Sequence, residues 1–298
     1  MKAKTNESAD LAALEAVAWQ SLLSAAKAAR QGRELDDEAG GLLVRSAREF
    51  YASLDSPATI RPLLELYAPL CAAGPLTFAH LGQSLDGQIA TASGDSYYVT
   101  GPDNVRHLHR LRALADAIVV GAGTVARDDP QLTVRHVAGA NPVRVVLDPS
   151  ARLDPDRRVF RDGAAPTLVV HAEGVGSRAP GNAEVLRVPH AGGRLALDAL
   201  LARLHERGLS SVFVEGGGET VSRFVESGLI DRLHVAIAPL LTGRGRPGLT
   251  LAARDKIADC VRPAHRVFAM GGDVLFDCDL RAAAPAVSEP SGSLTRVS

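Results

Sequence analysis

The pattern of apolar and polar positions divides the chain into regions with different periods. Up to about residue 70, apolar side chains recur at the i, i+3, i+4 and i+7 spacing of an amphipathic helix. This spacing predicts helices over residues 10–30, 35–54 and 61–67. No residue type in this region points to catalysis, and we assign residues 1–72 to a helical N-terminal extension that serves packing or dimer contacts.

From residue 75 onward, short β-branched apolar runs alternate with helical stretches. Pro102 suits a first helical position, and Gly208 and Gly228 suit positions just past helix ends. Nearly continuous apolar strands separated by helices indicate a parallel sheet covered on both faces. The predicted strands cover residues 76–81, 117–121, 143–148, 167–171, 184–188, 211–215 and 233–238, and the predicted helices cover residues 103–116, 195–207 and 219–227.

The C-terminal part departs from this alternation. The runs 266–270 and 273–280 flank Gly271 and Gly272, whose tolerance of positive φ suits the tight turn of a hairpin. The predicted fold class is therefore α/β, with a mixed, mostly parallel sheet, helices on both faces and a C-terminal antiparallel hairpin. We assign residues 75–281 to one domain and the Ala-, Pro- and Ser-rich residues 282–298 to a disordered tail.

Composition narrows the possible partners. With 33 basic and 34 acidic side chains in 298 residues, the net charge is −1, which argues against a broad nucleic-acid-binding face but allows a small basic pocket. Cys71, Cys260 and Cys278 form neither a disulfide framework nor a CxxC metal site. No signal-peptide core is present, and the apolar run 117–126 is too short to span a bilayer. We expect a cytoplasmic protein without metal, nucleic-acid or membrane partners.

Two glycine-rich turns each follow a predicted strand. Residues 121–126 match the dinucleotide fingerprint G-x-G-x-x-A, but the Asp-Asp-Pro run at 128–130 leaves room for only one or two helical turns, too few for a Rossmann unit. In the second turn, Gly216, Gly217 and Gly218 precede a predicted helix, so backbone N–H groups and the helix dipole can approach an anion. No Walker lysine follows, and a strand–helix turn without a ligand is the alternative.

Polar side chains concentrate between residues 84 and 135. Two arginines and several hydroxyl groups suit a phosphate and a sugar, because guanidinium groups bind phosphate with two hydrogen bonds. Each residue taken singly is also compatible with a cap, a turn or a solvated charge. The cluster consists of Ser84, Asp86, Gly87, Ser96, Thr100, Arg112, Thr124, Asp128 and Arg135.

Taken in order, the motifs of this chain resemble the reductase domain of riboflavin biosynthesis. The resemblance covers residues 75–280 and implies a dihydrofolate-reductase-like fold. No single motif is specific, but SLDG, DDPxLTVR and EGG together are. The matching motifs are SLDG at 84–87, IAT at 89–91, SGDS at 93–96, LRA at 111–113, GTV at 123–125, DDPxLTVR at 128–135, PVRVVLD at 142–148, VEGG at 214–217 and APxL at 238–241.

The resemblance implies NADPH-dependent reduction of 5-amino-6-(5-phosphoribosylamino)uracil, or its diaminopyrimidine counterpart, with hydride delivered to ribose C1′. It also implies a homodimer, and it makes His80, Asp128 and Glu215 the candidates for proton transfer. The implied substrate residues are Ser96, Arg112, Leu132, Arg135 and Glu215, with the two arginines on the phosphate. The implied cofactor residues are Gly82, Tyr98, Thr124, Asp128, Gly216, Gly217, Gly218, Glu219 and Thr220.

Three departures from the family pattern bear on function. His80 stands where the family has lysine, so a role in proton transfer would require it to titrate near neutrality, although it can instead face the core. Tyr98 replaces a frequent tryptophan. The zinc-deaminase pair of motifs, HxE and PCxxC, is incomplete because no PCxxC occurs, so we expect a stand-alone reductase. The alternatives are a reductase of another pyrimidine or a pterin, and a non-catalytic nucleotide-binding relative.

Overall fold

The computed structural model describes residues 2–32, 58–71, 74–97, 99–176 and 178–283. The chain divides into two compact units, Met1–Leu76 and Thr77–Ser298. The predicted helix over residues 35–54 lies outside the described residues, as does the predicted tail from residue 284 onward. Residues 282 and 283 were assigned to that tail, but they end the last strand of the sheet. None of the helices in these described ranges is long and apolar enough to cross a membrane.

The described residues of the first unit are mainly helical, as predicted. Helix α1 (Lys2–Arg30) starts before residue 10, because the polar N-terminal residues include good helix formers that the apolar period does not register. Helix α2 (Arg61–Tyr67) continues into a 3₁₀ turn, Ala68–Cys71. Trp19 of α1 packs edge-on against Tyr67, with ring centroids 5.6 Å apart. The predicted helices over residues 10–30 and 61–67 are confirmed.

The second unit contains the sheet and its covering helices. The further helices are α3 (Pro102–Leu114), α4 (Ala122–Asp128), α5 (Arg158–Arg161), α6 (Leu197–Glu206) and α7 (Gly218–Glu226), with a 3₁₀ turn at Ile257–Asp259. The strands are β1 (Leu76–Ser84), β2 (Gln88–Thr91), β3 (Ala117–Gly121), β4 (Val143–Leu147), β5 (Thr167–Ala172), β6 (Glu184–Val188), β7 (His190–Ala191), β8 (Arg194–Leu195), β9 (Ser211–Val214), β10 (Arg232–Ala238), β11 (Gly245–Pro247), β12 (Pro263–Met270) and β13 (Asp273–Ala283).

Nine strands form one sheet in the order β12-β13-β10-β1-β9-β3-β4-β5-β6. Strands β1 and β10 pair in parallel, as do β9, β3, β4, β5 and β6 in succession. The hairpin β12–β13 adds two antiparallel strands beside β10. Gly271 supplies the positive φ of its turn at 62°, whereas Gly272 does not. The predicted mixed, mostly parallel sheet with a C-terminal antiparallel hairpin is confirmed.

Side chains that alternate along the strands build a core on each face of the sheet. On one face, α6 and α7 place residues such as Leu200 and Phe224 against Val119 of β3 and Val145 of β4. On the other face, α3 covers β1 and β9, whose Phe78 and Phe213 rings stack 5.2 Å apart. Helices therefore lie on both faces, as predicted from the nearly continuous apolar strands.

The two-residue strands β7 and β8 and the short pair β2–β11 were not predicted. They form two small separate sheets, and such short segments carry too few side chains to show a period of two. The pair β2–β11 matters for the site, because it fixes the segment 245–247 beside residues 88–91.

Candidate active site

Two of the predicted substrate residues form a buried ion pair just beyond β9. The carboxylate of Glu215 accepts hydrogen bonds from Nε and Nη2 of Arg112, at the end of α3, over 2.8 and 2.7 Å. The two side chains expose only 7% and 16% of their surface. Nη1 of Arg112 donates to the carbonyl oxygen of Thr133 at 3.0 Å. Arg112 therefore joins β9 to the loop after α4, and any phosphate would compete with Glu215 for its guanidinium.

The loop after α4 carries Arg135 in a constrained geometry. Leu132 is buried and adopts a left-handed φ of 56°, which is uncommon for a branched residue. The backbone N–H of Arg135 donates to Nδ1 of His109 at 3.0 Å, and its Nη1 donates to Oγ1 of Thr133 at 2.7 Å. Partial burial and the nearby charges of Arg112 and Arg158 lower the pKa of Arg135. An anion bound here would relieve that repulsion.

His109 is the acceptor that holds this loop to α3. Its ring is buried, and burial, with the charges of Arg112 and Arg135, lowers its pKa to about 3. The ring is therefore neutral at physiological pH, with an unprotonated Nδ1 that can accept the Arg135 N–H.

The predicted glycine turn connects β9 to α7. Gly216 has a φ of 136°, which glycine alone adopts readily. The N–H of Gly217 donates to Oγ1 of Thr124 on α4 at 3.2 Å, and no side chain caps α7 in the described structure. A Cβ atom on Gly217 would lie no closer than 3.7 Å to Thr124 or Arg127. The uncapped first turn and the open glycine backbone fit a phosphate group of a nucleotide.

Gly218 should tolerate no side chain, unlike Gly217. A Cβ on Gly218 would overlap the carbonyl oxygen of Gly248 and lie 2.7 Å from that of Pro247. We expect Gly218→Ala to lower the free energy of unfolding by about 1–3 kcal/mol, as overpacking does. The matched variant Gly217→Ala should cost less than about 1 kcal/mol. Urea denaturation of both variants measures the difference, and equal losses would contradict close packing of the loop at Gly248.

Asp128 ends α4 between two arginines. Its side chain reaches solvent, but its carboxyl group is partly desolvated, and this raises its pKa against the smaller opposite effect of Arg127 and Arg246. Asp129 follows with a left-handed φ of 40° and ends the helix after two turns. This confirms that the segment has no room for the full helix of a Rossmann unit.

The SLDG motif fixes a neighbouring loop. The Asp86 carboxylate accepts hydrogen bonds from the Ser84 hydroxyl at 2.5 Å and from the N–H groups of Thr242 and Gly243 at 3.1 and 2.7 Å. These bonds lower the pKa of Asp86. Because the same loop continues to the residues that pack on α7, the motif holds residues 242–248 against the glycine turn.

His80 lies on β1 beneath α3. Its Nδ1 is 3.2 Å from the carbonyl oxygen of His234, and burial, with the His234 ring, lowers its pKa to about 3. A proton-transfer role would require His80 to titrate near neutrality, whereas desolvation penalises its charged imidazole. The core-facing alternative describes the observed geometry.

The structure brings some of the predicted site residues together and separates others. Arg112 and Arg135 both contact Thr133, which follows Leu132, and Glu215 joins this group through Arg112. Thr124 contacts the turn at 216–217. Ser96 lies exposed in the segment before α3, His80 contacts His234 instead of this group, and Tyr98 falls outside the described residues. The described residues contain no group of three side chains suited to hold a metal ion.

The amino-acid sequence identifies the family to which the chain belongs. The sequence matches the RibD C-terminal domain over residues 75–256, more than half of the chain. The chain belongs to the RibD C-terminal domain family.

Relatives of the chain include a pyrimidinone 5′-phosphate reductase and a riboflavin biosynthesis protein. The chain is 39% identical over 216 residues to 2,5-diamino-6-ribosylamino-4(3H)-pyrimidinone 5′-phosphate reductase of Methanothermobacter thermautotrophicus. This match covers 68% of this chain and 97% of the relative. The chain is 34% identical over 193 residues to riboflavin biosynthesis protein RibD of Escherichia coli, covering 60% of this chain. The chain spans about half of that protein, 52% of its length.

A solved structure agrees with this relationship. The diaminohydroxyphosphoribosylaminopyrimidine deaminase/5-amino-6-(5-phosphoribosylamino)uracil reductase of Thermotoga maritima superposes with a TM-score of 0.57 at 28% identity, covering 69% of this chain and 56% of that one.

Sequence reasoning missed several residues that shape the RibD C-terminal domain site. His109 and Thr133 hold Arg135, and Arg127 and Arg158 add positive charge beside Asp128 and Arg135. Thr133 lies inside the DDPxLTVR motif and could have been found there. The roles of the others depend on contacts between distant segments, which no local pattern displays.

Proposed function

We propose that residues 75–281 form an NADPH-dependent reductase of a pyrimidine that bears a phosphoribosyl group, acting in riboflavin biosynthesis. The observation that carries the proposal is the joining of Arg135 to the buried Arg112–Glu215 pair, immediately before the glycine turn. A cationic subsite and an open phosphate-binding turn thus meet at one end of the sheet. The names of the relatives from M. thermautotrophicus and E. coli support the same function.

The cationic subsite would bind the substrate, and the glycine turn would bind the cofactor. Arg135 would hold the ribose phosphate, with Arg112, Glu215, Leu132 and Ser96 around the rest of the substrate. On the other side, the uncapped turn would receive a phosphate of NADPH, which when bound supplies a hydride for ribose C1′. The cofactor side consists of Gly82, Tyr98, Thr124, Asp128, Gly216, Gly217, Gly218, Glu219 and Thr220.

Asp128 is the best supported proton carrier among the three candidates. Reduction at C1′ requires an acid for the ribose ring oxygen as the ring opens to an imine. Partial desolvation raises the pKa of Asp128, which favours its protonated form. Glu215 is committed to Arg112, and His80 is held neutral.

The proposal includes a homodimer and a cytoplasmic location. Strand β12 ends the sheet as an edge strand, and Ile257 and Val261 nearby are 79% and 70% exposed. An apolar surface beside a sheet edge is a common association surface.

Oxidation of NADPH by the purified protein tests the proposed function. The diaminopyrimidinone ribosyl phosphate is the first substrate to supply, because the M. thermautotrophicus relative is named for it, and the deaminated uracil is the second. We expect oxidation that depends on one of these substrates and is weaker with NADH. NADPH binding without turnover of either would overturn the substrate and favour another pyrimidine or a pterin. Failure to bind NADPH would overturn the reductase assignment.

Arg135→Ala should separate phosphate recognition from chemistry. Loss of a charged hydrogen-bonding group costs about 1.5–3 kcal/mol, so KM for the phosphorylated substrate should rise roughly 10- to 100-fold. KM for the dephosphorylated compound should stay within about twofold, because it has no charge to lose. Steady-state kinetics with both substrates checks this. Arg203→Ala, which removes an exposed arginine paired with Glu173, is the matched control. Equal changes for both substrates would remove Arg135 from the phosphate.

A further inference from the structure

Four buried side chains form a continuous series from the C-terminal hairpin to strand β1. Nε2 of His234 on β10 lies 3.2 Å from Oδ1 of Asp277 on β13. Nδ1 of His234 lies 3.1 Å from Nε2 of His107 on α3, and the two rings stack. The His107 ring meets the His80 ring edge-on, with centroids 5.1 Å apart. All four side chains are buried.

Burial lowers the pKa of His234, and the favourable effect of Asp277 on a charged His234 is opposed by the two arginines that Asp277 binds. The carboxylate contacts two guanidinium groups, with Arg232 Nη2 at 2.6 Å and Arg266 Nη2 at 2.9 Å. Arg232 also lies 3.7 Å from Asp279, so the two arginines and the two carboxylates balance, and a proton on His234 would add an unbalanced buried charge. Burial also lowers the pKa values of His234 and His107, and the Arg110 charge adds to the effect on His107.

The hydrogen-bond partners of the neutral rings indicate which nitrogen of each ring carries the proton. A carboxylate only accepts, so the nearby Asp277 favours a proton on Nε2 of His234, although the 3.2 Å contact does not have hydrogen-bond geometry. Its Nδ1 is therefore an acceptor for a proton on Nε2 of His107. His80 faces the carbonyl oxygen of His234 with Nδ1, so its proton lies on Nδ1 and its Nε2 is an acceptor.

Contacts through Asn104 and Thr100 connect Nε2 of His80 to the backbone of Gly82. The Asn104 side chain is within hydrogen-bonding reach of the His80 ring. Asn104 also contacts Oγ1 of Thr100 over 2.8 Å, and its Oδ1 is buried without a hydrogen-bond partner in the described structure. With the side-chain amide rotated by 180°, Nδ2 can donate to His80 Nε2 and Oδ1 can accept from the Thr100 hydroxyl, so both amide atoms of Asn104 have partners. A Cβ on Gly82 would lie 2.9 Å from Thr100 and 3.2 Å from Asn104.

We propose that His80 is a positioning residue and not a proton donor. Its Nδ1–H is anchored on the His234 carbonyl, its Nε2 accepts from Asn104, and Asn104 thereby holds Thr100 against the backbone of Gly82. The hairpin carboxylate Asp277 orients His234 and His107 behind it. The effect on cofactor binding rests on the proposed function, because that function places NADPH at Gly82, whereas the tautomers do not depend on it.

Long-range ¹H–¹⁵N spectra of the histidine rings test the tautomers in the unmodified protein. Signals are assigned by their loss in single variants, and the nine histidines make this practicable. We expect His80 to be neutral with its proton on Nδ1, and His234 and His107 to carry theirs on Nε2, unchanged from pH 8 to pH 6. A His80 ring that titrates in this range, or that carries its proton on Nε2, overturns the proposal. This result is independent of any reductase activity.

Kinetics and cofactor binding of His80→Gln and His80→Leu test the positioning role. Glutamine places an amide near the position of Nε2 and can pair with Asn104, whereas leucine cannot. We expect kcat of His80→Gln to stay within about threefold of the unmodified enzyme, and NADPH affinity, measured by fluorescence, to fall about tenfold in His80→Leu. Loss of a proton donor would instead lower kcat of both variants by roughly 10²- to 10⁴-fold, which would overturn the proposal. If the unmodified protein oxidises no NADPH, the proposed function fails while the spectra still decide the tautomers.

Discussion

Glu215→Leu should lower the free energy of unfolding by about 3–5 kcal/mol, because it leaves the buried Arg112 guanidinium without its carboxylate. Two of the three hydrogen bonds of Arg112 disappear, and the remaining bond to the Thr133 carbonyl cannot balance the charge. Reductase activity should fall with it, since the loop that carries Arg135 is tied to Arg112 through Thr133. Urea denaturation, followed by circular dichroism, measures the loss.

Two further variants show whether burial causes this effect. Glu184 pairs with Arg207 over 2.6 Å, but both side chains are largely exposed, so Glu184→Leu should cost less than about 1 kcal/mol. The double variant Arg112→Met, Glu215→Leu should lose less stability than the sum of its single variants, because it buries no unpaired charge. Additive losses would mean that the pair is not coupled.

Acidification from pH 7 to pH 5 should remove at least about 3 kcal/mol of stability. The folded state holds His80 and His109 neutral, each with a pKa of about 3, and burial also lowers the pKa values of His107 and His234. The unfolded chain takes up these protons near pH 6.5, so it binds more protons than the folded state below that pH. Stability is therefore full above pH 6.5 and falls toward pH 3, by up to about 1.4 kcal/mol per pH unit for each ring.

Urea denaturation at pH 7, 6 and 5 measures the slope of the free energy of unfolding against pH. His80→Gln removes one of the buried titrating rings and should make the slope shallower. His190 is exposed on β7, so His190→Gln should leave the slope unchanged. A stability that does not change between pH 7 and pH 5 would show that these rings are solvated in solution.

The sequence by itself determined the class of the fold and the family. The apolar pattern located α3, α6, α7 and the parallel strands of the main sheet within a few residues, because the helices bury one face over several turns and the central strands bury both faces. The order of the motifs from SLDG to APxL indicated the family, since each motif consists of residues that are close together in the sequence. Gly208 and Gly228, with φ of 76° and 65°, confirm the predicted helix ends, because residues past a helix commonly need positive φ.

The tertiary structure decided which polar residues meet. Arg112 and Glu215 lie 103 positions apart, and neither motif shows that they would neutralise each other. The sequence left open whether His80 transfers protons or faces the core, because its environment is set by His234 and His107 on other elements. Hydrophobic periodicity is a property of consecutive residues, whereas the charge and tautomer of a buried group depend on partners that only the packed sheet and helices bring within a few ångströms.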